Sequence, residues 1–187
     1  MTEISFLTGE LLLAAVWIAV RLCVCLYRRS VSLKREALLL LMYINLAVLL
    51  RIAFFPMKRL NGHVQPLLFD ASRILPLRVN LKPLVNILRF GTKRDMLLNL
   101  IGNVTMFIPG GIILPVLYPR LRSFCRTVAA GAGISLCIEL LQLPFFDRAT
   151  DIDDLILNTA GCAAGFLIYA AVRRILHSIR TKKRREC

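Results

Sequence analysis

Five apolar runs, each long enough to cross a bilayer, decide what this chain can fold into. A membrane-spanning helix needs about 20 mostly apolar residues. Runs of that kind lie at about Phe6 to Leu26, Glu36 to Pro56, Met96 to Tyr118, Phe124 to Phe146 and Asp151 to Leu176. Composition agrees with them. Of 187 residues, 57% are hydrophobic and only 19% charged. A soluble domain is nearer 45–50% apolar and about 25% charged. The expected fold is therefore all-α, a polytopic membrane helix bundle of about five spans forming a single domain over residues 1–187.

Charge orients the bundle. Lys and Arg concentrate in loops that stay in the cytoplasm. Arg28, Arg29, Lys34 and Arg35 follow the first span, and Arg120, Arg122 and Arg126 follow the third. The tail, residues 177–187, is basic through Arg180, Lys182, Lys183, Arg184 and Arg185. These place the N-terminus outside and the C-terminus inside. No Lys or Arg precedes the first span and no small-residue cleavage site follows it, so it reads as a span, not a signal peptide. Met57 to Asp95 opposes this orientation, because Lys58, Arg59, Arg73, Arg78, Lys82 and Arg89 lie in it yet fall outside. Pro66, Pro76 and Pro83 interrupt any helix there. That stretch is expected to form short amphipathic segments in the outer interface, between spans two and three. The net charge of +14, set beside apolar spans, points to anionic lipid headgroups as partners and not to nucleic acid. Six cysteines sit in spans, at their cytosolic ends or in the tail. They read as small apolar fillers.

Polar residues inside the spans carry the functional signal, because ionisable groups at membrane depth are costly and mark function by default. Asn99, Asn103 and Gly110 share a face of span three, and Gly131, Ser135, Glu139 and Gln142 share one of span four. Asp151, Asp154, Asn158, Gly161 and Gly165 share one of span five. Asp147, Arg148 and Asp153 join the loop and helix start between spans four and five. Under the alternating topology all three stripes meet at one depth, just beneath the outer surface. Plainer roles stand beside this one. The aspartates favour a helix N-terminus, Thr150 with Asp153 resembles a capping box, and the asparagines can serve as interhelical hydrogen-bond glue. Glu139 resists a plain reading, since an unpaired carboxylate at that depth costs about 2.5 kcal/mol or more. Arg51, one turn from the outer end of span two, either snorkels to outer headgroups or pairs with the acidic cluster.

An ordered set of these residues resembles the VanZ-like family of bacterial membrane proteins. The set runs from Asn80-Leu-Lys-Pro through Asn99-Leu-Ile-Gly-Asn103 and Phe107-Ile-Pro-Gly to Ser135 and Glu139-Leu-Leu-Gln142. It continues with Arg148, Asp151-Ile-Asp153-Asp154 and Asn158-Thr-Ala-Gly161, so that the resemblance covers about 80–169. It implies a multi-pass cell-membrane protein of Gram-positive-type bacteria. The family's name-giver is associated with low-level resistance to teicoplanin, a lipid-tailed glycopeptide.

Two functional classes follow. In the first, an extracytoplasmic pocket binds or modulates an outer-leaflet lipid, a lipid-linked cell-wall precursor or a lipopeptide. In the second, a membrane enzyme acts on a lipid headgroup or lipid-linked phosphate, with Glu139 as base, Arg148 on the phosphate and a divalent cation on clustered carboxylates. No catalytic motif, no cofactor motif and no Ser-His-Asp set is present, and His63 and His177 lie far from the cluster. Whether the protein is an enzyme, and whether it holds a metal, stays open at this stage. A coupled transporter is the least favoured, as the chain has no internal repeat.

Overall fold

The computed structural model describes residues 2–28, 32–55, 59–60, 62–75, 79–83, 92–146, 148 and 150–185. Among them lie five helices long and apolar enough to cross a membrane. These are α1 (Phe6–Arg28), α2 (Leu33–Phe54), α3 (Lys93–Leu117), α4 (Phe124–Gln142) and α5 (Ile152–Arg185). The starts of α1, α3 and α5 carry side-chain caps. The Ser5 hydroxyl accepts from Thr8 N at 3.1 Å before α1. Thr92 and Asp95 form a reciprocal cap on α3, at 3.1 and 2.8 Å.

The α5 cap corrects the sequence expectation. Asp151 supplies it by accepting from Asp153 N at 3.1 Å. Thr150 instead donates to Glu139 O at 2.8 Å. The reason lies at the end of α4, where Leu143 N bonds Leu140 O and not Glu139 O, leaving a late helix carbonyl to be met by a side chain. The expected span ends near Leu176, and the helix that carries it continues to Arg185, because Lys and Arg are good helix formers and the end of hydrophobicity is not a helix stop.

α3 and α5 make the closest helix pair, with α4 on α5, α2 on α3 and α1 on α2. Glycine permits the α3–α5 approach. A Cβ on Gly161 would strike Val104 O, and one on Gly165 would strike Ile108 O. The Gly161-xxx-Gly165 signal is thus a crossing surface, and its counterpart on α3 is Gly111. Along α3 and α2, Leu39, Met42, Ile113, Leu114 and Leu117 form one buried cluster. Nearer the other end, Leu49, Met106, Phe107 and Cys162 form a second. α1 is peripheral and unburied along its span. It reaches α2 through Trp17 on Tyr43, with ring centroids 5.6 Å apart, and through a 2.6 Å Arg21–Glu36 ion pair.

Short strands cap one end of the bundle. β1 (Thr2–Ile4) pairs antiparallel with β4 (Leu67–Phe69), and β2 (Arg59–Leu60) with β3 (His63–Val64). β5 (Val79–Asn80) runs parallel to β6 (Thr150–Asp151), just before α5. Phe54, Phe55 and Leu67 bury the cap against the end of α2. The expected interfacial segments are therefore strand pairs and a 3-10 turn (Ala71–Ile74). Residues 84–91 of that stretch lie outside the described residues. The opposite end carries the turn from Pro119 to Leu121 and the basic end of α5.

Candidate functional site

Beneath the cap, a cavity of about 580 Å³ opens between the end of α2, the first half of α3, the end of α4 and the start of α5. Asn99, Asn103, Glu139, Gln142, Arg148, Asp154 and Asn158 line it together. All three stripes of the sequence contribute, so the fold brings them together around one cavity. The helical period put Ser135, Glu139 and Gln142 on the buried side of α4, where they are respectively 0%, 2% and 6% exposed.

The wall is tied by hydrogen bonds. The Asn103 amide donates to Asp154 Oδ1 at 2.5 Å, joining α3 to α5. The Asn158 amide donates to Ser135 Oγ at 2.9 Å, joining α5 to α4. Glu139 accepts from Asp151 N at 3.0 Å, so the buried carboxylate meets the backbone just ahead of α5. Gln142 donates to Ala53 O at 2.6 Å, and Arg148 Nε to Phe54 O at 3.0 Å. Those two carbonyls belong to the last turn of α2, where helix carbonyls have no partner within the helix. Asn158 Oδ1 is buried without a hydrogen-bond partner, in a residue only 2% exposed.

Other expected residues lie beside the cavity. Asp151 accepts from the Asn80 amide at 3.2 Å as well as from Asp153 N, which locks β5 to the α5 start. Asp153 is 3% exposed but is not part of the lining. Arg51 donates to Phe55 O at 2.8 Å and sits 5.4 Å from the Phe6 ring centroid, so it too lies off the lining. Asp147 is outside the described residues. Among the described residues, no three His, Cys, Asp or Glu side chains gather as a metal-holding group.

Sequence reasoning missed the apolar half of the lining: Ile52 and Ala53 of α2, Leu98, Ile101, Gly102, Met106 and Phe107 of α3, and Ile138 of α4. In a membrane protein such residues look like any lipid-facing surface. Gly102 alone carried a signal, as it interrupts the Asn99–Asn103 segment. A Cβ there would meet no atom within 4 Å. The lining thus combines carboxylates and amides with a larger set of apolar side chains.

A family model described as VanZ/LLP1 matches residues 36–174, most of the chain. The chain belongs to the VanZ/LLP1 family. It is also 39% identical over 79 residues to Protein VanZ of Enterococcus faecium, an alignment covering 42% of this chain and 46% of that protein. The chain therefore spans under half of that relative's length. No solved structure matches. The VanZ/LLP1 region takes in the cavity-forming parts of α2 to α5 and leaves out the peripheral α1. The protein is thus a multi-pass membrane protein of this family.

Proposed function

We propose that the cavity receives the head of an envelope amphiphile, an outer-leaflet lipid, a lipid-linked wall precursor or a lipoglycopeptide, and that the protein acts by binding or modulating it. The observation that carries this is the chamber itself: polar groups from three helices meet under a cap and share its lining with apolar side chains, a combination suited to an amphiphile. Basic residues at the opposite end, from Arg21 and Arg35 to the end of α5, support a capped end facing outside under the positive-inside rule. The family's association with teicoplanin supplies the phenotype to measure.

The test is complementation of a host lacking its own copy, read by teicoplanin susceptibility together with membrane-lipid and wall-precursor profiles. Wild-type protein should protect without changing either profile. Gly102→Leu, which adds bulk where a Cβ meets nothing, and Glu139→Ala should both lose protection. Full protection by a Glu139→Gln plus Asp154→Asn variant would sink the reading. A lipid species that changes only when the protein is present would favour the enzymatic alternative instead.

A further inference from the structure

We infer that the occupant of this cavity carries a primary ammonium on its polar head, and that it enters as an amphiphile between α2 and α3. The inference rests on the cavity being a binding site, and narrows what it accepts.

The first support is the direction in which the amides face. Gln142 turns its nitrogen to Ala53 O, and Asn103 turns its nitrogen to Asp154 Oδ1. Both partners are acceptors only, so these orientations are fixed. An amide that points its nitrogen at the wall keeps its carbonyl oxygen for the remaining space. The second support is Asn158, whose Oδ1 is buried and without a partner, in a residue 2% exposed that lines the cavity. A buried acceptor left unmet asks for a donor. The third is charge. Glu139 and Asp154 set two carboxylates against the guanidinium of Arg148, the cation among the described lining residues.

These observations converge on one chemistry. An ammonium offers three N–H donors and no acceptor, and the cavity offers Asn158 Oδ1 and the two carboxylates. A head group ending in a bare phosphate would bring more acceptors to a wall already made of them. The route for the apolar part is equally plain. Leu98 and Ile101, 60% and 51% exposed, flank the lining on α3. Ile52 and Ala53 face them from α2, and the space beside Gly102 is open. A chain can leave through that slot while its head stays among the polar groups.

Native mass spectrometry of the full-length protein tests this with phosphatidylethanolamine, its N-acetyl derivative and phosphatidylglycerol of matched chains. Folding of each variant is checked by circular dichroism and thermal melting. Phosphatidylethanolamine should be retained over the N-acetyl form by about tenfold, the scale of one charge-assisted hydrogen bond. Gly102→Leu should abolish that retention, and Asn158→Leu should erase the preference. Equal retention of the N-acetyl lipid, or preference for phosphatidylglycerol, with either lost in Gly102→Leu, overturns the ammonium while leaving the cavity a lipid site. Retention of every lipid untouched by Gly102→Leu overturns both the ammonium and the proposed binding function.

Discussion

Gln142 holds two structures at once. Its amide completes the last turn of α2 through Ala53 O, and the same side chain lines the cavity. Gln142→Leu should therefore destabilise the protein by about 1–3 kcal/mol, the cost of a buried carbonyl left unmet. A thermal melt in detergent reads this directly. Gln142→Glu should be at least as harmful, because a carboxylate would then face a carbonyl oxygen. Half of this bond was legible in the sequence. The spacing of Gly131, Ser135, Glu139 and Gln142 placed the donor, since a helical period leaves a trace in residue types. The acceptor left none. Ala53 O and Phe54 O are backbone atoms, and nothing in the letters Ala-Phe says that a helix end will be met there. Thr150 misled for a related reason: it resembles a cap, but a free carbonyl near the end of α4 takes its hydroxyl.

The crossing of α3 and α5 depends on backbone approach. A methyl at Gly165 would collide with Ile108 O and crowd Gly111 Cα. Gly165→Ala should thus cost about 1–3 kcal/mol by overpacking. Gly133 offers the internal control, since a Cβ there meets nothing within 4 Å. Gly133→Ala should be neutral, or stabilise by up to about 1 kcal/mol through helix propensity. Comparing the two melts separates a packing glycine from an incidental one. The spans were readable because length and hydropathy suffice to define them. The cap was not. Its strands are two or three residues long, and two of the three pairs join distant residues, such as Asn80 with Asp151; so short a strand carries no periodicity.

At the scale of the molecule, the orientation fixes which compartment the cavity serves. In a background with the native cysteines replaced, Ser72→Cys in the cap should react with a membrane-impermeant maleimide on whole cells. Ser178→Cys on the basic end of α5 should react only after lysis. The reverse pattern would move the cavity to the cytoplasmic side and end the proposed function. The arrangement also ties the chamber to the bundle that holds it. α2 packs on α3, while its last turn is fastened across the chamber through Gln142 and Arg148. The same two side chains therefore close a helix end and shape the hollow beside it. The lining is a set of girders before it is anything else, and a change made to alter what the hollow accepts will also be felt in how firmly three helices stay joined.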